Sequence, residues 1–208
     1  MHQAIILALA VGVTAAHAQP SPTDVIKSLG LSEAVRADED RLNAITAEVL
    51  LQGKETPLFG GRRGIDATAL LMLGIAFHET GLQERYERCD CRPGECDNGH
   101  AYGLPQLHAE HFSGPRRVTD EDYTTADFCA QRVVQWTTQV RALARDKAWC
   151  KSIDPQFEDR GPMIWLGAYN SGQCRASTAG TMAYANFTRM AQRAGIRVEK
   201  HGSRWVAY

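Results

Sequence analysis

The sequence has no strong excess of one charge, no apolar segment long enough to cross a membrane, and no cysteine before Cys89. Its 23 basic and 24 acidic residues give a formal net charge of −1. Nucleic-acid binding relies on a basic surface, so this balance argues against a nucleic-acid partner. A transmembrane helix needs roughly 20 consecutive apolar residues, and we therefore expect a protein that does not span a membrane.

The N-terminus has the pattern of a secretory signal peptide. An apolar stretch runs from Ala4 to Ala16, and the small-residue sequence A-H-A ends at Ala18. This pattern predicts cleavage after Ala18, with residues 1–18 as the signal peptide. Because the stretch lacks an N-terminal Lys or Arg, a short N-terminal helix or anchor is the alternative. No linker or repeat divides residues 19–208, which predicts one exported domain, periplasmic or secreted.

The cysteines indicate disulfide bonds. An even number of cysteines in an exported chain is typical of a disulfide framework. Two of them, Cys89 and Cys91, are too close in sequence to bond each other comfortably, and the connectivity is otherwise left open. A zinc site built from C-x-C-x4-C with nearby histidines is the alternative. The six residues are Cys89, Cys91, Cys96, Cys129, Cys150 and Cys174.

Apolar periodicity predicts a mainly α fold. Asp24 and Asp38 are predicted N-caps, and the second helix is expected to stop at Gly53. Asp66 is predicted to cap a third helix that ends before Gly81. This helix, ATALLMLGIAFHE, is apolar on nearly all sides, so we expect it to be the buried central helix.

The second half of the chain begins with a long irregular segment, residues 85–123, that contains three cysteines. Loops of this length are usually functional or constrained, so a disulfide-tied loop is predicted. Helices are then expected from Thr125 to Lys147, from Pro162 to a stop at Ser171-Gly172, and from Ser177 to Gly195. The tail after Gly195 is predicted to form a short strand or to pack through Trp205.

The stretch GIAFHETGL contains an incomplete zinc-protease motif. His78 and Glu79 match the start of H-E-x-x-H, but the position of the second histidine is occupied by Leu82. Since that motif needs both histidines on one helix face, a zinc protease is not predicted, and we expect neither metal nor cofactor. Glu79 therefore remains as a lone carboxyl group at the end of an apolar helix. His108 and His111 are interpreted as a surface pair.

Two further stretches combine polar groups with glycine. The segment AYGLPQLH, residues 101–108, offers Gly103 and the amide of Gln106. The segment GAYNSG, residues 167–172, offers a Tyr-Asn pair where a helix meets glycine.

Three motifs of this sequence occur in the order found in soluble lytic transglycosylases and goose-type lysozymes: Glu79-Thr80, then G-L-P-Q, then A-Y-N-S-G. The sequence resembles that family over roughly residues 60–195. The resemblance implies a lysozyme-like helical domain that cleaves peptidoglycan or a related β-1,4-linked amino-sugar polymer, as a monomer. The sequence departs from the family at Pro105 and in its long Cys-rich insert. The residues that the resemblance assigns to substrate binding are Gly103, Leu104, Gln106, Tyr169 and Asn170.

The chemistry suits a lone glutamate. Glycoside cleavage needs an acid that stays protonated near neutral pH, and an apolar setting such as Leu70 to Phe77 disfavours the carboxylate. The resemblance implies that Glu79 protonates the oxygen between N-acetylmuramic acid and N-acetylglucosamine and then acts as base, giving a 1,6-anhydro product.

Two alternatives remain open. A hydrolytic muramidase, or a chitin-cleaving relative, would need a second carboxylate to activate water, and the candidates are Asp90, Glu95 and Asp97. The alternative from another class is a non-catalytic glycan-binding or cell-envelope assembly protein that retains the fold.

Overall fold

The computed structural model describes residues 20–153, 161–202 and 204–208, and the predicted signal peptide lies outside them. The predicted mainly α architecture is confirmed. In these residues no helix is both long and apolar enough to cross a membrane. The helices are α1 (Pro22–Lys27), α2 (Glu33–Ala37), α3 (Glu39–Glu55), α4 (Gly64–Thr80), α5 (Glu84–Glu87), α6 (Cys96–Gly99), α7 (Thr125–Ala130), α8 (Arg132–Ile153), α9 (Pro162–Ser171) and α10 (Thr178–Arg193).

Short antiparallel hairpins complete the fold. Strands β1 (Ala101–Tyr102) and β2 (Leu107–His108) pair within the long loop, where no strand was predicted. Strands β3 (Val198–His201) and β4 (Arg204–Ala207) form the C-terminal hairpin, so the predicted tail strand is confirmed. The backbone of Gly60 bonds to this hairpin, which anchors the loop before α4.

Some of the observed helix starts agree with those predicted from the sequence, and others do not. Asp38 caps α3 by accepting from the Arg41 N–H at 3.1 Å, as predicted. The cap of α1 is Ser21, and the prediction of Asp24 is wrong. Asp24 instead takes the third helical position and completes a capping box with Ser21, an arrangement that satisfies two backbone donors. A serine three residues before an acidic residue is therefore the better start signal here.

Helix α4 is the buried centre, as predicted, with α3 and α10 packed most extensively against it. It begins at Gly64, so the prediction of Asp66 as its cap is wrong; Asp66 lies in the first turn and pairs with Arg63 at 2.6 Å. Gly53 does not end α3, which continues to Glu55. A Cβ at Gly53 would lie 2.9 Å from the carbonyl oxygen of Ile65, so glycine lets α3 and α4 approach closely.

The predicted helix from Thr125 to Lys147 consists of two helices. The helical conformation is interrupted at Gln131, which has an extended backbone, and α8 then runs to Ile153. Pro162 opens α9 at its first position, as predicted, where the missing N–H costs no hydrogen bond.

All six cysteines form disulfides, as predicted. Cys89–Cys129 ties the long loop to α7, Cys91–Cys96 closes a small ring within the loop, and Cys150–Cys174 joins the end of α8 to the segment between α9 and α10. Cys89 and Cys91 do not bond each other. No thiolate is therefore left for the alternative zinc site.

Candidate active site

Glu79 lies in the last turn of α4, just before the helix ends at Gly81, whose φ of 59° is left-handed. Its side chain is partly buried and lines a pocket of about 290 Å³. Burial raises the pKa of Glu79 from 4.5 to about 7. Within the described part of the chain no hydrogen bond or ion pair holds the carboxyl group, so nothing offsets the desolvation of its charged form.

Thr80 attaches the end of α4 to the turn that carries Gln106. The Thr80 hydroxyl is buried and lies 2.8 Å from the carbonyl of Ala76 and 3.1 Å from that of Leu104. Because a hydroxyl has a single proton, it donates to these two oxygens in competition or shares its proton between them. The contact holds the turn beside the acid.

Gln135, from α8, holds the same turn through a hydrogen bond of its side-chain amide. Its side-chain oxygen accepts from the Leu104 N–H at 3.0 Å, and its amide nitrogen donates to the carbonyls of Glu87 and Phe128. The side chain is fully buried. A single amide thereby joins the turn, the end of α5 and the end of α7, and the sequence contains no signal for it.

Gly103 allows this arrangement. Its φ is +73°, and a Cβ there would lie 2.5 Å from the side-chain oxygen of Gln135. A side chain at this position would therefore meet both backbone strain and a direct clash. Leu104 is fully buried in the core. Gly103 and Leu104, both predicted to bind substrate, thus do not line the pocket and instead support the turn that carries Gln106.

Gln106 completes the turn and lines the pocket. It has a left-handed φ of 51°, and its side-chain nitrogen donates to the carbonyl of Gly103 at 2.9 Å. Pro105, the departure from the resembled motif, also lines the pocket. Its carbonyl accepts from the Tyr169 hydroxyl at 3.2 Å, which connects the turn to α9.

Helix α9 presents Tyr169 and Asn170 to the pocket. Burial, and then the charges of Glu79 and Asp146, raise the pKa of Tyr169 well above its usual value, so the phenol stays protonated. Both polar atoms of the Asn170 side chain are shielded from solvent and have no hydrogen-bond partner among the described residues. Buried amides are nearly always bonded, which marks Asn170 as a group that can bind a ligand.

The structure therefore brings Glu79, Gln106, Tyr169 and Asn170 into one pocket. These residues come from α4, the loop turn and α9, so the pocket exists only when three distant parts of the chain are folded together. The apolar part of its lining comes from Ala101, Pro105, Leu107 and Ala179, whereas Leu70 to Phe77, which were expected to form an apolar wall, do not line it.

The three candidate second carboxylates have different surroundings. Glu95 is held by Arg85 at 2.6 and 2.9 Å, and these hydrogen bonds lower its pKa to about 2. Asp90 does not line the pocket. Asp97 lines it together with Glu79, and its carboxylate lies 3.5 Å from the Nε2 of His108.

His111 also lines the pocket, where the sequence suggested only a surface residue. Burial, and then the neighbouring Arg145, lower its pKa to about 4, so the ring is neutral at physiological pH. Arg145 lies 3.4 Å from the His111 Nδ1. Because arginine only donates, the Nδ1 accepts and the proton is on Nε2. Over the described ranges, no group of three His, Cys, Asp or Glu residues is placed to hold a metal ion.

No family model, no curated protein and no solved structure matches this chain. The family resemblance drawn from its motifs therefore stays a prediction.

Proposed function

We propose that this protein cleaves the glycan strand of peptidoglycan between N-acetylmuramic acid and N-acetylglucosamine. The observation that carries the proposal is Glu79, a pocket carboxyl group without a partner in the described residues, whose pKa of about 7 keeps much of it protonated at neutral pH. A general acid works best when its pKa lies near the working pH.

The same carboxyl group serves both steps. Glu79 gives its proton to the glycosidic oxygen as the bond from that oxygen to C1 breaks. The resulting carboxylate takes the proton of the muramyl 6-hydroxyl, whose oxygen bonds to C1. Glu79 ends protonated, no water is consumed, and the product carries a 1,6-anhydro ring. The acetamide of the substrate stabilises the positive centre, as in other substrate-assisted glycosidases.

The other pocket residues supply contacts to the sugar. The Asn170 amide offers a donor and an acceptor without other partners in the described chain. Gln106 belongs to the turn that the hydroxyl of Thr80, the neighbour of Glu79, holds through the Leu104 carbonyl. Tyr169 stays a neutral phenol beside Glu79, so it adds no charge that would oppose ionisation of the acid in the second step.

A hydrolytic muramidase is the second candidate, and Asp97 is the observation that favours it. This carboxylate lines the same pocket as Glu79 and is 62% exposed, so it is accessible to water. In that mechanism Asp97 would activate the water that attacks C1, and the product would carry a reducing end.

The three disulfides support an exported protein, because disulfides persist in oxidising compartments such as the periplasm or the cell exterior. Expression of the full chain followed by N-terminal sequencing of the exported product tests this point. A product that begins at Gln19 agrees with cleavage after Ala18, whereas an intact N-terminus contradicts it.

Digestion of purified peptidoglycan by the mature protein tests the function. The products are analysed by mass, because anhydro and reducing ends differ by one water. The variants are Glu79→Gln, Asp97→Asn and, as the matched control, Glu84→Gln. The control removes an exposed glutamate of α5 that pairs with Arg88.

Anhydro products that require Glu79 but not Asp97 support the transglycosylase. Reducing-end products that require both residues support the muramidase. Products from the Glu79→Gln protein contradict either role for this acid. Glycan binding without any product, by the folded native protein, favours the non-catalytic alternative.

A further inference from the structure

The groove continues beyond the Glu79 pocket into a second and larger cavity of about 820 Å³. The two cavities share His108, His111, Tyr169 and Asn170 in their walls, so they are contiguous. We call the larger cavity the arginine basin, after Arg116, Arg117 and Arg145 in its lining. Its size exceeds that of the pocket around the acid, which leaves room for a substrate part other than the sugar being cleaved.

The two cavities differ in charge. Among the described residues, the lining of the Glu79 pocket includes the carboxyl groups of Glu79 and Asp97 and no lysine or arginine. The lining of the arginine basin includes three arginines and two carboxyl groups, those of Glu110 and Asp146. A glycan strand that carries no peptide, and whose lactyl carboxyl groups are blocked as neutral amides, has no charge, so it would gain no ionic contact from the basin.

Arg145 is held in place within the basin. It donates to the Asp146 carboxylate at 2.8 and 2.9 Å and to the carbonyl of Arg116 at 3.1 Å, and it contacts the His111 ring. These contacts fix the guanidinium before a ligand arrives. A group fixed in this way loses less conformational entropy when a ligand binds.

Arg116 and Arg117 are held more weakly. Arg116 lies 3.4 Å from Glu110, and Arg117 lies 3.1 Å from Asp122. Both acidic partners are more than half exposed, at 53% and 52%. Exposed ion pairs contribute little to stability, so an incoming carboxylate can replace these partners at small cost.

Trp149 adds an apolar surface to the basin. Its ring is 45% exposed, whereas Trp136 and Trp165 are buried in the core. An exposed aromatic ring beside guanidinium groups suits a ligand with both aliphatic and carboxylate parts. A short acidic peptide has this chemistry.

We propose that the arginine basin binds the acidic peptide branch that peptidoglycan carries on its muramic acid. This inference rests on the proposed function. Carboxylates of the branch bind Arg116 and Arg117, its aliphatic part packs on Trp149, and the sugar that bears the branch lies by Tyr169 and Asn170. The basin would thereby select peptide-bearing strands over bare glycan.

Binding by the inactive Glu79→Gln protein tests this inference without turnover. The two ligands are soluble glycan strands with their peptide branches and the same strands stripped by an amidase, whose freed lactyl carboxylates are then capped as neutral methylamides. Affinities are measured by isothermal titration in dilute buffer. With intact arginines we expect the peptide-bearing strands to bind roughly three- to tenfold more tightly, the size expected of two partly exposed ionic contacts.

The variant Arg116→Ala/Arg117→Ala, made in the same background, should bring this ratio close to one. The matched control is Arg189→Ala, an exposed arginine on α10 outside both cavity linings, and it should keep the ratio. Salt on the order of 1 M should also reduce the ratio, since it screens exposed charges.

A ratio of one with intact arginines, or a ratio that the double variant keeps, overturns the inference and leaves the proposed function standing. Tighter binding of strands that carry a phosphate polymer instead of peptide also overturns it. If the Glu79→Gln protein binds neither strand and the native protein cleaves neither, the proposed function has failed as well.

Discussion

Replacement of Glu79 by glutamine should stabilise the protein at neutral pH. The folded state raises the pKa of Glu79 from 4.5 to about 7, because burial disfavours the charged carboxylate. Between these two values the unfolded chain loses the proton more readily than the folded one, so ionisation favours unfolding. The native protein should therefore lose stability as the pH rises from about 4.5 to about 7. Glutamine has nearly the same shape and does not ionise.

The size of the effect follows from the two pKa values. The difference between 4.5 and about 7 corresponds to at most about 3 kcal/mol in the free energy of unfolding at pH values near 8. Near pH 5 the expected difference is only about 1 kcal/mol, and it vanishes in more acidic solution. The Glu79→Gln protein should thus match the native protein in acid and exceed it progressively above pH 5.

Urea unfolding of both proteins at several pH values between about 4 and 8 measures this difference, provided that the slopes with urea agree. The control Glu33→Gln removes an exposed carboxyl group in the first turn of α2. If the gap between Glu79→Gln and native protein stays constant over this range, burial does not perturb Glu79, and the reasoning that makes it a neutral-pH acid is refuted.

Three further outcomes are expected. Glycan cleavage should fall as the pH rises through about 7, because Glu79 loses the proton that it must donate; a flat pH–rate profile would contradict this. Gly103→Ala should destabilise the protein by roughly 2–4 kcal/mol in urea unfolding, since it adds a clash to backbone strain, whereas Gly114→Ala, strained but without a close neighbour, should cost about 1 kcal/mol. Replacing Cys89 and Cys129 together by serine should cost about 4 kcal/mol, from the entropy of the 40-residue separation that the bond closes, and an unchanged melting curve would contradict it.

The regular helices could be predicted from the sequence because their signals are local. The apolar run of α4 requires burial whatever surrounds it, and Pro162 and Gly172 mark the ends of α9 by their own backbone preferences. The cap of α1 shows the limit of such signals. Ser21 and Asp24 both favour a helix start, and only their mutual hydrogen bonds decide which of them is the cap.

The pocket could be predicted only from motif order. Glu79, Gln106 and Asn170 were associated through a family resemblance, and the structure places them in one pocket. Gln135 could not be identified in this way. Its partner Leu104 is 31 residues away, and a buried glutamine within a helix has no pattern that reveals a contact at that distance.

The position of Asp97 was also beyond the sequence. Its place at the pocket depends on the path of the loop, and that path depends on which cysteines are bonded. Since the spacing leaves the connectivity open, Asp90, Glu95 and Asp97 were equivalent before the structure was known. The Cys91–Cys96 ring and the pairing of Glu95 with Arg85 distinguish them.

The contact between Gln135 and the turn at Leu104 has a consequence for how the protein loses activity. The turn lies outside the long helices, yet its backbone N–H is buried and bonded to a core side chain of α8. Segments that unfold locally make few buried contacts, whereas this turn has a buried hydrogen bond to the core. The turn therefore belongs to the same cooperative unit as the core helices. A destabilising substitution far from the groove should lower activity in step with the fraction of unfolded molecules, while the molecules that remain folded keep full activity.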